Sequence, residues 1–370
     1  MYRAIIFSLA ITAGAPLAAQ LPSILQPGSP SNGRLDVGVP ADGRPLVVYQ
    51  EASSIKALKC GDSTCSAGNT VFTVANLSVR RVRLAFASDG TPVIGLSVVS
   101  SGLRVARCAN AECSLASIAV VDPANLGANT DHALLLPADG RPTFAYFDAN
   151  NFDLKYARCV DAVCSSSQVV TVESVGSVGI APSMSLVGGL PQIAYGGNSN
   201  SLRLARCASL DCNSGTLVST LSAENVADSA MMTGRDGFAM IAYRQDLTTP
   251  DVLRLAKCNN TACTAPTLTS MDINAASIGL GTGVQMRAGA DGLPLIAYYD
   301  QSFQTIKLLR CTRPDCSAAS ITTAHAPSSN IVTTTATAAL AISAAGTPLL
   351  AYAQQGPGLT LQFCNTRSCQ

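Results

Sequence analysis

Short apolar runs alternate with turn-forming residues along most of the chain. In "DGLPLIAYYDQSFQTIKLLRC", from Asp291, a turn dipeptide precedes a run rich in branched and aromatic residues, a polar loop and a second alternating run. The same order begins at Asp42, Asp89, Asp139, Gly188, Asp236 and Ala345. Asp-Gly between two apolar runs signals a hairpin, because glycine accepts positive φ. A proline two residues later suits the first position of a strand, where no ladder donor is lost. Each unit therefore predicts four strands, A to D. Around Cys108 these fall near 82–87, 92–97, 103–108 and 117–122.

Strand C of every unit runs into a cysteine pair. The pairs are Cys60 with Cys65, Cys108 with Cys113, Cys159 with Cys164, Cys207 with Cys212, Cys258 with Cys263, Cys311 with Cys316, and Cys364 with Cys369. They use all fourteen cysteines and recur every 48 to 53 residues. An even count at regular spacing reads as a disulfide framework, with each bridge local to its C-to-D hairpin. A metal site would need more ligands than the two histidines, His132 and His325, supply. No metal or other cofactor is expected.

Four short strands per period of about 50 residues predict an all-β, seven-bladed β-propeller. The chain ends favour a closed ring over an open array. The seventh unit stops at Gln370 without a strand D, while "LPSILQ" (21–26) is a spare strand before the first strand A, near 34–39. That N-terminal strand would complete blade 7 and leave no open edge. Residues 20–370 are read as one propeller domain.

The unit G-x-P-x-(I/V)-A-Y-Y-D followed by L-K-x-A resembles the "YYD…LKYA" repeats of secreted bacterial propeller proteins loosely labelled BNR or sialidase-like. "AYFDANNFDLKYARC" (145–159) carries the similarity most fully. The resemblance implies the propeller fold and export. The chain departs from it by ending each unit in a cysteine pair, and it carries no intact Asp-box, so sialidase activity is not implied.

Composition adds the compartment. Residues 1–19, "MYRAIIFSLAITAGAPLAA", have the basic start, apolar run and small-residue end of a signal peptide. Export to the periplasm or beyond fits disulfides. Twenty-four basic and 23 acidic residues, Arg3 among the former, leave the chain balanced without that leader. Such neutrality points away from nucleic acid. No later run of eighteen apolar residues predicts a membrane span, and a monomer is expected.

Candidate chemistry lies in the loops. A-to-B and C-to-D turns share one face and are constrained by Asp-Gly and the cysteines. B-to-C and D-to-A loops share the other, and there the repeats differ. Its candidate ligand-binding residues are Asp148, Phe152, Asp153, Asp246, Tyr299, Asp300 and Phe303, which set hydrogen-bonding groups beside aromatic rings. That combination suits a lectin-like binding or adhesion module for a glycan or protein ligand. The alternative is a carboxylate-dependent glycosidase or lyase near the central channel, whose acid–base distance only a structure supplies. "DANNFDL" (148–154) lacks the spacing and closing Glu of a calcium loop. Cations stand before the first cysteine in six units (Lys59, Arg107, Arg158, Arg206, Lys257, Arg310) and are expected at exposed positions paired with acids of neighbouring strands. Tyr49, Tyr146, Tyr195, Tyr243, Tyr298 and Tyr352 recur in strand B as inter-blade packing. No catalytic role is assigned to His132 beside Asp131.

Overall fold

The computed structural model describes residues 24–26, 30, 34–99, 101–124, 126–127, 131–198, 201–245, 251–272, 283–300, 305–325, 338–354 and 358–369. Its strands form seven four-stranded antiparallel sheets, six of them taken in chain order. Blade 2 is typical, with strand A at Val79–Phe86, B at Pro92–Val98, C at Gly102–Cys108 and D at Ala116–Asp122. Blade 7 has A at Ala339–Ile342, B at Pro348–Gln354 and C at Gly358–Phe363. Its fourth strand is Ile24–Gln26, which pairs antiparallel with strand C in the register Ile24 to Leu361 and Gln26 to Leu359. The N-terminal strand thus completes the last blade, and the ring closes. The proposed leader, residues 1–19, lies outside the described residues.

Seven hydrophobic cores hold the blades side by side, each between one blade and the next. Leu46, Val48, Ile55 and Ala57 of blade 1 meet Val82, Ile94 and Leu96 of blade 2. The seventh core joins Leu349, Leu359 and Leu361 of blade 7 to Leu35, Val47 and Tyr49 of blade 1. Each core contains one disulfide, and always that of the following blade. Cys108 and Cys113 belong to the core between blades 1 and 2, Cys60 and Cys65 to the core that closes the ring. The bridges are therefore buried packing elements as well as cross-links.

All seven bridges join the expected partners, with Cα separations of 4.6 to 4.9 Å. The expectation placed the second cysteine across the hairpin. It sits instead in the turn before strand D, with its N–H donating to the carbonyl three residues back, as from Cys164 to Asp161. All seven second cysteines adopt φ between 50° and 61°. That left-handed conformation costs an ordinary residue roughly 1–2 kcal/mol.

The clip loop then reaches the preceding blade. Arg107 of blade 2 donates to the Ala162 carbonyl of blade 3 at 3.2 Å, and Arg158 of blade 3 pairs with Asp211 of blade 4 at 2.5 Å. Gln192 of blade 4 donates to the Thr261 carbonyl of blade 5 at 3.0 Å. The cations before the first cysteines are not generally exposed: Lys59, Arg158 and Lys257 are buried. Lys59 pairs with Asp42, Arg158 with Asp139, Lys257 with Asp236 and Arg310 with Asp291, each the turn aspartate of its own blade. Strand C neighbours strand B directly, so the A-to-B turn bends over it and offers its carboxylate. The strand B tyrosines are buried as expected.

Replacing Cys159 and Cys164 by serine is expected to lower the unfolding free energy by about 2 kcal/mol. Cys159→Ser with Cys164→Gly should recover roughly 1 kcal/mol, because glycine adopts positive φ freely. Urea denaturation distinguishes the two; equal midpoints would show that the turn holds no backbone strain. Deleting residues 20–26 should lower the melting temperature far more than shortening an exposed loop by the same length.

Candidate functional site

The B-to-C turn of blade 3 joins strand B (Thr143–Asp148) to strand C (Asp153–Cys159) on the variable face. Asp148 organises it from beneath. Its carboxylate is 1% exposed and pairs with Lys155 at 2.8 Å. It also accepts the Asn151 side-chain amide at 2.8 Å and the Asn150 N–H at 3.1 Å. Burial works to raise its pKa, but Lys155 and Asn151 hold it below the ordinary carboxylate value. Asp148 is thus a strut, out of a ligand's reach while its ion pair stays closed.

What the strut presents is Phe152. The residue adopts φ 60°, its ring is 52% exposed, and it leans on Phe147 with centroids 6.3 Å apart. Its carbonyl accepts the Val178 N–H at 3.0 Å, which ties the turn to the loop entering blade 4. Asp153 follows, half-buried, and its carboxylate makes no hydrogen bond or ion pair among the described residues.

Blade 4 supplies the other wall. Glu173, ending strand D of blade 3, pairs with Arg203 of blade 4 at 2.7 Å and accepts the Tyr195 hydroxyl. Leu154 lies opposite Glu173 in the sheet, so this group sits close to Phe152 in register. The linking loop carries exposed Val175 and brings Gly176 against Asn198 of the next B-to-C turn. The seam between blades 3 and 4 therefore combines an exposed aromatic ring, a half-buried carboxylate without a partner among the described residues and a mostly buried carboxylate–guanidinium pair.

The remaining candidates are dispersed. Asp300 in blade 6 is fully buried and pairs with Lys307 at 2.5 Å, which also meets Asp272 at 2.9 Å. Tyr299 is half-buried, and among the described residues its hydroxyl is out of solvent without a partner. Asp246 and Phe303 lie outside the described residues. The sequence reading missed the acids Asp122, Glu173, Glu224 and Asp272, which receive the hydroxyls of Tyr146, Tyr195, Tyr243 and Tyr298 from the following blade. Their recurrence at or just after the end of strand D was the available signal.

The inner strands carry a second polar system. Asp36 accepts the N–H groups of Val37 and, in blade 2, Leu84. Asp228 of blade 5 likewise accepts Gly283 and Val284 of blade 6. Asp131 receives the guanidinium of Arg81 at 2.6 Å. These carboxylates lace neighbouring inner strands together. His132 starts strand A of blade 3, and His325 closes strand D of blade 6. His132 is fully buried, with Nδ1 2.5 Å from the Ser97 hydroxyl. Gly95 makes room for the ring, since a Cβ there would lie 2.7 Å from Nε2. Among the described residues no group of three His, Cys, Asp or Glu side chains is placed to hold a metal ion.

Burial pushes the His132 imidazole down to about 3, against the attraction of Asp131. Between the ordinary histidine value and that folded value the unfolded chain binds a proton that the folded chain refuses. Stability is thus present above pH ~6.5 and lost as pH falls toward 3, by up to roughly 5 kcal/mol. His132→Leu, the residue type that Leu35 supplies opposite Tyr49 in blade 1, should flatten denaturation midpoints between pH 6.5 and 4. An unchanged slope would place the acid sensitivity elsewhere.

No known family's sequence profile and no characterised protein's sequence matches this chain. Solved structures do. A triple arginine-to-alanine variant of AofleA from Arthrobotrys oligospora superposes with TM-score 0.55 at 12% identity, over 80% of this chain and 87% of that one. The fungal lectin of Aleuria aurantia, a six-bladed propeller with a fucose recognition mode, gives 0.51 at 14% identity over 79% and 95%. Polysaccharide lyase Uly1 gives 0.55 at 8% identity over 92% and 90%. At such identities the shared property is the fold: a ring of four-stranded blades, here seven.

Proposed function

We propose that this chain is an exported, non-catalytic binding module for a glycan, with its site at the seam of blades 3 and 4. The observation that carries the reading is Phe152. An aromatic ring held half out of solvent by a left-handed backbone is a costly arrangement for packing alone, and such strain gathers at binding sites. A ring beside Asp153, Asn151 and the Glu173–Arg203 pair offers an apolar face for the C–H side of a sugar. The polar groups around it offer partners for hydroxyls. The fungal lectin of Aleuria aurantia among the structural neighbours supports glycan over protein as the ligand.

The lyase neighbour keeps the enzymatic reading in view. Against it, Asp36, Asp131 and Asp228 of the channel are all engaged with N–H groups or Arg81, which favours a scaffold role over acid–base work. Seven disulfides fit an oxidising compartment, as does the leader-like N-terminus. No helix among the described residues is long and apolar enough to cross a membrane.

A glycan array probed with the oxidised protein tests the proposal. Against any neutral glycan it retains, Phe152→Ala and Asp153→Ala should each weaken binding by about 1–3 kcal/mol. Replacing exposed Leu115 in the clip loop of the opposite face should change nothing. Equal effects from both faces, or none from Phe152, would overturn the assignment.

A further inference from the structure

Blade 4 keeps the cation that leads into its clip but not the carboxylate that answers it elsewhere. In blades 1, 3, 5 and 6 the aspartate of the A-to-B turn pairs with that cation. The matching turn of blade 4 is Gly188-Gly189, a two-residue connection between the paired Val187 and Leu190. Both glycines adopt positive φ, 61° and 82°, as this tight hairpin turn requires. A Cβ built on either meets nothing within 4 Å, so the space beside the turn is open. A second partner is missing as well. Arg158 of blade 3 also reaches Asp211 in the clip of blade 4, whereas the same place in the clip of blade 5 holds Ala262.

The cation left behind is Arg206. It is half-buried and makes no hydrogen bond or ion pair among the described residues. The acids of the adjoining turns are taken, Asp211 by Arg158 and Asp236 by Lys257. Two further departures fall on the same cross-strand row, where opposite Cβ atoms lie about 5 Å apart. Gln192 stands opposite Arg206 in strand B, and Leu217 opposite it in strand D. The row faces blade 5: Ser185, opposite Gln192, meets the Thr233 hydroxyl at 2.8 Å, and Gln192 Nε2 donates to the Thr261 carbonyl at 3.0 Å. That bond fixes the amide and leaves Oε1 as a free acceptor. Gln192 is 3% exposed, and its Oε1 has no partner among the described residues. Leu46, Val93, Met240 and Leu295 hold that place in blades 1, 2, 5 and 6. Leu217 is 59% exposed, where Thr70, Ser117, Gln168, Thr267 and Ser320 stand opposite the cations of the other blades.

We propose that this row binds the carboxylate end of a peptide chain. Arg206 takes the terminal carboxylate, whose two oxygens match a planar guanidinium, in place of the aspartates that blade 3 supplies internally. Gln192 Oε1 accepts the last backbone N–H, which relieves the cost of a buried acceptor left unpaired. Leu217 covers an apolar side chain. A peptide terminus carries the three groups at fixed spacing, whereas an acidic side chain has the carboxylate without the N–H. The site lies on the clip face and does not rest on the glycan reading.

The test is a calorimetric titration of the full oxidised protein with N-acetylleucine, at matched ionic strength. Controls are N-acetylleucinamide, which lacks the carboxylate, and isocaproate, which keeps carboxylate and side chain but lacks the N–H. N-acetylleucine should bind about tenfold or more tightly than either. Arg206→Gln should weaken it about tenfold or more. Ala262→Asp should weaken it likewise without lowering the melting temperature, because it gives Arg206 the partner that Arg158 has in Asp211. Phe152→Ala should leave it unchanged, so loss of glycan binding and loss of this site are told apart. Absence of N-acetylleucine binding, equal binding of the amide or of isocaproate, or binding that survives Arg206→Gln would overturn the proposal.

Discussion

The ring depends on a six-residue disulfide clip that does three things at once. It holds a cysteine in the left-handed region, it fills the core shared with the preceding blade, and it offers that blade a carbonyl or side chain to bond. A propeller blade is a twisted sheet with little to fix its angle to the next one beyond side-chain packing. Here each clip supplies a rigid, buried contact at the same height in every seam. Because the seventh core contains the disulfide of blade 1 and the strands of blade 7, the device also closes the circle.

Polar groups repeat the pattern on a smaller scale. The turn aspartate caps its own hairpin, as Asp42 does by accepting the Arg44 N–H at 2.9 Å, and then pairs with the cation that leads into the clip. At the opposite rim, acids at or just beyond the ends of strands D receive tyrosine hydroxyls from the following blade, and burial raises the pKa of those hydroxyls further. Buried polar groups are tolerable when each has its partner, and such networks fix relative orientation where packing alone is degenerate.

Against so regular a background, departures are informative. Gly95 yielding space to His132 breaks the repeat, where the other blades carry a larger residue at that place in strand B. Positive φ at the B-to-C turn recurs at Ala52 in blade 1, and the bulge that opens strand A of blade 2 recurs in blades 4 and 5. What sets Phe152 apart is the exposure of a large ring in that turn.

The sequence by itself determined the blade count, the strand order, the disulfide pairing and the closing role of residues near 21–26. Those features depend on contacts within one repeat or on the chain ends, so the period exposes them. It also marked Phe152 and Asp153, because turn residues are read locally. It did not separate them from Asp148 and Asp300, which have the same composition around them. Whether a carboxylate faces solvent or a lysine on the adjacent strand depends on how strands B and C are set side by side. The buried state of Lys59, Arg158 and Lys257, the Glu173–Arg203 pair and the Arg81–Asp131 pair were likewise decided by the tertiary structure. Each depends on the distance between strands or neighbouring blades, and burial fixes that distance only once the ring has closed.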